Sequence, residues 1–254
     1  MKISIIGTGN VGWHLAFELE EAGHTMIDIY SRNLQNAKNI ASKLYDAKAT
    51  NNLDFSKSKA EIFIIAVPDD AIASIASEII LPEKAILAHT SGTRNIMELE
   101  ACDNPKGVFY PLQTFTKFKK VDWSLVPICI EATDKNTDDT LTKVAESLSS
   151  FVYFLDAIQR KRLHLSAVFA CNFTNHLLKI AKEVLSTHEI PFEILKPLII
   201  ETVDKALLNG PENSQTGPAI RNDIKTIQTH LDDLTFEPQK QEIYRLITKA
   251  IMEK

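Results

Sequence analysis

Near the amino end, Gly7-Thr8-Gly9-Asn10-Val11-Gly12 follows a short apolar run, Lys2-Ile3-Ser4-Ile5-Ile6. A G-x-G-x-x-G turn between a strand and a helix has the spacing needed to hold a dinucleotide pyrophosphate. Gly7 serves the tight turn, Gly9 lets backbone N–H groups approach the phosphates, and Gly12 lets the helix pack closely on the strand. The helix that follows offers unsatisfied N–H donors and a partial positive charge to the anion. Such a turn can also be purely structural, so its neighbours matter. Trp13 to Gly23 has helical periodicity with a glycine stop, and Met26-Ile27-Asp28-Ile29-Tyr30 closes a βαβ unit of about 30 residues.

Hydride exchange with a C=O or C=N carbon requires cofactor placement, polarisation of the acceptor and a proton source. His89, in His89-Thr90-Ser91-Gly92, can shuttle a proton or cap the turn after it. His164 and Asn172 lie on an apolar helical stretch, about 12 Å apart along the axis and about 80° around it, with His176 one turn further on. Polar groups in such a setting need partners, whether substrate or structural. Arg221, beside Asp223, suits a substrate carboxylate, or the two can simply stabilise their loop. Gln113 can contact substrate or lie in an exposed loop, and Lys117-Phe118-Lys119-Lys120 reads as a solvated run with weak attraction for anions.

The elements that must position these residues alternate. A helix is expected over 36–44, strands over 46–49 and 61–67, a helix over 70–80 and a strand over 85–88. Further strands fall at 107–109, 127–130 and 151–154, with a helix over 138–149 before the last. This order predicts an α/β fold with a doubly wound, Rossmann-type sheet. Ligands in such sheets bind beyond the carboxyl ends of the strands, so Ala66-Val67-Pro68 and His89-Thr90-Ser91-Gly92 are expected to line the cofactor cleft. After Asp156 only helical stretches appear, punctuated by Pro191, Pro197, Gly210-Pro211, Gly217-Pro218 and Pro238. The expected domains are therefore 1–155, binding the dinucleotide, and 156–254, an all-helical domain for substrate and dimerisation. The helix over 158–186 is apolar on most sides, which predicts burial between domains or subunits.

The 254 residues can bury one or two cores. With 28 basic and 33 acidic residues, the net charge of −5 argues against a nucleic-acid surface. Cys102, Cys129 and Cys171 are too scattered for zinc spacing or a disulfide scaffold, no histidine cluster has ligand spacing, and no metal is expected. The first strand begins at once and no apolar run is long enough to span a bilayer, so a cytoplasmic protein without membrane contact is expected. At the tip of the second strand, Ser31-Arg32 replaces the acidic residue that binds the ribose 2′-OH of NAD. An arginine there favours a 2′-phosphate, so NADP(H) is preferred to NAD, and Asp28, lying earlier, reads as structural.

These residues together resemble the two-domain NADP-linked reductases and dehydrogenases, which include pyrroline-5-carboxylate reductase, ketopantoate reductase, prephenate dehydrogenase and 6-phosphogluconate dehydrogenase-like enzymes. More narrowly, the chain resembles the Rossmann-like oxidoreductases of the DUF2520 family. The narrower likeness rests on the glycine motif, Tyr30-Ser31-Arg32, Ala66-Val67-Pro68-Asp69-Asp70, His89-Thr90-Ser91-Gly92, Tyr110-Pro111-Leu112-Gln113-Thr114-Phe115, His164 to Asn172, and Thr216 to Asp223. Related families often carry His-Pro where this chain has Tyr110-Pro111, and a phenol is the poorer proton shuttle at neutral pH. A lysine that relatives place one turn before the asparagine is absent here, where Val168 stands; His164 before an apolar run resembles the prephenate dehydrogenase arrangement more. The resemblance implies an NADPH-linked reductase acting on a small carbonyl or imine substrate, carboxylic acids among the candidates, with His164, Asn172, His89 and Tyr110 as candidate catalytic groups and a homodimer formed by the helices. An F420-linked reductase shares the fold, and a cofactor sensor without turnover is the reading from a different class.

Overall fold

The computed structural model describes residues 1–117 and 119–253; Phe118, within the basic run noted above, lies outside them. The chain divides into two compact units, Met1–Cys171 and Asn172–Lys254.

The first unit is built on an eight-stranded sheet in the order β3-β2-β1-β4-β5-β6-β7-β8. Its strands are β1 (Lys2–Ile6), β2 (Thr25–Tyr30), β3 (Lys48–Thr50), β4 (Ile62–Ile65), β5 (Ile86–His89), β6 (Lys106–Pro111), β7 (Ile128–Ala132) and β8 (Val152–Phe154). Helices α1 (Asn10–Glu21), α2 (Leu34–Ala41), α3 (Ile72–Glu78) and α4 (Lys135–Leu148) cross between strands, and α5 (Ala157–Ala167) follows β8. Strand alternation explains the apolar run of β4. Ile62 and Ile64 join one buried cluster with Leu15, Leu19 and Val144, while Phe63 and Ile65 join the opposite one with Ile72 and Leu87. Helices therefore cover both faces, as a doubly wound sheet requires.

One pairing departs from the parallel pattern: β6 and β7 run antiparallel, with Tyr110 opposite Cys129 and Val108 opposite Glu131. A parallel return needs a crossover long enough to include a helix, and between these strands the described residues form only the 3₁₀ turn Trp123–Leu125. At the start of α5, Asp156 accepts from the amides of Ile158 and Gln159, and the Gln159 side chain returns to the Asp156 amide, a complete capping box. The change of character seen in sequence at Asp156 is thus a helix start, whereas the compact first unit extends to Cys171.

The expected helix over 158–186 is helical throughout, but Val168–Phe173 is a π-helical stretch between α5 and α6 (Thr174–Ser186). The second unit continues with α7 (Lys196–Asn209), α8 (Pro211–Ser214), α9 (Ile224–Asp233) and α10 (Pro238–Met252). Among its described residues, only Ala219 and Ile227 are buried apolar side chains. Within the single chain, Phe169 is 63% and Phe173 50% exposed. No described helix is long and apolar enough to cross a membrane.

Candidate functional site

The glycine turn begins where β1 ends, and its three glycines have different causes. Gly7 has φ +123°, a conformation that L side chains rarely adopt, and a Cβ there would strike the Ala66 carbonyl. A Cβ on Gly12 would strike the Gly7 carbonyl, so close helix–strand packing requires that glycine. Gly9 differs, because its φ is −69° and a Cβ would meet nothing nearer than 4.0 Å. The protein itself has room for a side chain at position 9, which lines an open cleft. Helix α1, which Gly9 caps, has no side-chain cap bond and no acidic residue in its first turn, leaving its amide donors and positive end unneutralised. These features fit a dinucleotide.

A cleft of about 730 Å³ opens here, lined by Gly7, Thr8, Gly9, Asn10, Val11, Ser31, Arg32, Ala66, Val67 and Pro68. Thr8 Oγ1 donates to Ser31 Oγ at 3.2 Å, tying the glycine turn to the tip of β2. Thr90, of the His89-Thr90-Ser91-Gly92 motif, lines the cleft, as do Asn36 and Glu78, which carried no motif that would mark them in the sequence. Asp28 points elsewhere, accepting from Ser4 Oγ at 3.0 Å and Ser58 Oγ at 2.6 Å in the structural role expected of it.

Beyond β5 the chain brings together three residues singled out separately in the sequence. Tyr110 Oη, on β6, lies 3.0 Å from His164 Nδ1, on α5. Gly92 packs against both, since a Cβ there would come within 2.7 Å of His164 Nδ1 and of Tyr110 Cζ. The glycine at 92, read in sequence as permitting approach to a nicotinamide, is thus required by the Tyr–His pair. Burial pushes the Tyr110 phenol up to about 12, with the guanidinium of Arg160 opposing the shift. The phenol therefore keeps its proton at neutral pH.

Arg160 is the group that sequence reading missed. One turn before His164 on α5, it is fully buried, forms an ion pair with Glu131 of β7 and donates to the Arg94 carbonyl at 2.6 Å. It thereby ties α5, the sheet and the loop after β5 to one another. The capping box at Asp156 and the i, i+4 spacing of Arg160 and His164 were the available signals; the Glu131 partner had none.

His89 has a different setting. Its side chain is fully buried, Nδ1 accepts from the Ser91 amide at 3.1 Å, and Nε2 lies 3.3 Å from the Asn95 carbonyl. Burial first, and Arg160 second, push its imidazole down to about 4. Both ring nitrogens thus engage the loop after β5. Ser91 acts likewise, its Oγ accepting from the amides of Thr93 and Arg94. Gln113 is exposed and accepts from the Thr114 amide at 2.7 Å.

In the second unit, Asn172, His176 and Arg221 are exposed. Asp223 is the N-cap of α9, accepting from the Thr226 amide at 3.1 Å and hydroxyl at 2.8 Å, which hold its carboxyl below the usual range. Thr216 and Pro218 line a separate, apolar cavity of about 490 Å³ with Leu177, His230 and Tyr244.

Residues 126–251 match the domain of unknown function DUF2520, and residues 2–92 match the family described as NADP oxidoreductase, coenzyme F420-dependent. The glycerol-3-phosphate dehydrogenase (NAD(P)+) of Macrococcus caseolyticus is 35% identical over 104 residues, 36% of this chain and 31% of that protein, so the chain spans about a third of the length of the curated relative it matches. The solved structure described as a "putative NADP oxidoreductase BF3122" from Bacteroides fragilis is 37% identical, with 100% of this chain and 98% of that one covered and a TM-score of 0.92. Protein TM1727 from Thermotoga maritima shares the fold at 21% identity, covering 99% of this chain and 100% of that one with a TM-score of 0.78. Near-complete overlap at 37% identity with the Bacteroides protein, together with the two family matches, places this chain in that protein's family, the Rossmann-type oxidoreductases whose carboxyl part is the DUF2520 domain.

Proposed function

We propose that this chain is an NADP(H)-dependent oxidoreductase that moves a hydride to or from a small carbonyl or imine substrate, carboxylic acids among the candidates. The observation that carries the reading is the Tyr110–His164 pair packed on Gly92, in the loop whose Thr90 lines the dinucleotide cleft. The name of the Bacteroides relative supports NADP as the cofactor.

When bound, the nicotinamide supplies or accepts the hydride. The amides of the turn and of α1 hold the pyrophosphate, while Ser31 and Arg32 receive the 2′-phosphate. In the reductive direction His164 starts as the imidazolium, with Nδ1–H donated to Tyr110 Oη. It gives its Nε2 proton to the substrate oxygen or nitrogen as the hydride arrives. The neutral ring that remains is still held by Oη, and oxidation runs the same steps in reverse. Because burial keeps the phenol protonated, Tyr110 orients the ring and leaves the change of charge to the imidazole.

A second copy completes the protein in this reading. A helical unit with almost no buried apolar side chains, and with Leu207 81% and Leu208 84% exposed, needs another surface to cover it. The test combines nucleotide titration, NADPH oxidation against a panel of small carbonyl and imine acids, and molecular mass in solution. Turnover that falls in His164→Ala with NADPH affinity intact is expected. Tight NADPH binding without turnover across the panel would favour the sensor reading, and a monomer at working concentration would remove the dimer.

A further inference from the structure

The loop after β6 reaches back to the glycine turn. His14 Nε2, in the second turn of α1, lies 2.9 Å from the Thr116 carbonyl, and its ring packs on Phe115 with centroids 5.2 Å apart. Phe115 is itself buried and packs on Trp123 at 5.3 Å. The backbone at 115–116 is therefore anchored on both sides, and the next residue is set by that anchorage. Lys117 Nζ donates to the Thr8 carbonyl at 3.0 Å and lies 5.4 Å from the centre of the Trp13 ring. Among the described residues, no carboxylate lies within ion-pair distance of Lys117.

An ammonium has three donors, and the Thr8 carbonyl occupies one of them. The remaining two, with an unneutralised charge, stand beside Thr8, which itself lines the cleft. The sequence reads 117–120 as a solvated run with weak attraction for anions. The structure separates Lys117 from that run by fixing it against Thr8 and the Trp13 ring.

We propose that Lys117 is a binding residue for the dinucleotide pyrophosphate, delivered to the glycine turn by the anchored loop after β6. The inference rests on the dinucleotide reading of the cleft and adds a side-chain cation to a site otherwise made of backbone amides. Lysine acts on phosphate as a point charge, so its contribution is common to every nucleotide carrying the diphosphate and indifferent to the 2′-phosphate. That separates it from Arg32.

Calorimetric titration of NADPH and of NADH into the full chain, at low and at raised salt, tests the assignment. Lys117→Met should weaken both nucleotides by the same factor, about tenfold for one charge-assisted bond, and make the salt dependence shallower. Lys117→Arg should restore most of the affinity, and Lys119→Met should change neither nucleotide. Unchanged affinity in Lys117→Met overturns the assignment, as does a loss confined to NADPH, which would put the lysine on the 2′-phosphate. An equal loss in Lys119→Met would also overturn it, by showing only the general field of the basic run. Wild-type protein that binds neither nucleotide overturns the dinucleotide reading itself, a result separable from all of these.

Discussion

Adding one methyl group at Gly92 should disable the chemistry while sparing the cofactor. The new Cβ would lie 2.7 Å from both His164 Nδ1 and Tyr110 Cζ, where ordinary contact begins at 3.4 Å, so the two side chains must separate from it by about 0.7 Å. If that movement opens the pair, its 3.0 Å contact becomes about 3.7 Å, too long for a hydrogen bond. Overpacking of this kind costs about 1–3 kcal/mol of stability, and loss of an oriented proton donor costs about a hundredfold or more in turnover. Gly92 has no positive φ, so the effect is steric and not conformational; Gly23, with φ +87° and nothing within 4 Å of its Cβ position, is the converse control. The assay is NADPH oxidation with the best acid from the panel, alongside nucleotide affinity and thermal unfolding. Gly92→Ala with wild-type turnover and stability would refute the packing argument and remove the Tyr110–His164 pair from the mechanism.

Gly9→Val should leave the fold within about 1 kcal/mol of wild type, because the protein offers the side chain open space, yet it should abolish nucleotide binding by filling the phosphate approach; calorimetry and thermal unfolding on one sample check both halves. His89 titrates near 6.5 when unfolded and about 4 when folded, so the unfolded chain binds the extra proton between these values. Its contribution, about 3 kcal/mol, is complete above pH 6.5 and lost as pH falls toward 4; urea midpoints across that window should decline, and the decline should flatten in His89→Asn. Arg160→Met leaves Glu131 without its partner and should destabilise by about 3 kcal/mol, much of it recovered when Glu131→Leu is added. A double variant no more stable than the single one would show that the ion pair is not what holds α5.

Local signals made the frame of this protein legible. The glycine spacing identified β1, α1 and β2, and the apolar run over 61–67 contains β4, whose faces are both covered. Errors arose where neighbours decide. The expected strand over 46–49 forms at Lys48–Thr50, where register with Asp28 to Tyr30 is available. The helix expected from residue 70 begins at Ile72, because Asp69–Ala71 makes a 3₁₀ turn first. The reversal between β6 and β7 goes with a connection in which, among the described residues, no crossover helix forms. In the site, Tyr110, His164 and Gly92 were each visible as residue types, but their contact joins β6, α5 and the loop after β5, far apart along the chain. Arg160 was invisible for the same reason: an arginine reads as solvated until its buried partners are known.

The central claim is that the cleft beside Gly9 takes a nicotinamide dinucleotide and reads its 2′-phosphate through Arg32. The ratio of dissociation constants for NADH and NADPH, measured by calorimetry on wild type and Arg32→Ala, addresses it most directly. One charge-assisted bond to the 2′-phosphate predicts NADPH tighter by about tenfold in wild type, with that preference lost in the variant and NADH affinity unchanged. Equal affinities in the wild type, a preference for NADH, or a preference that survives the loss of Arg32 would contradict it.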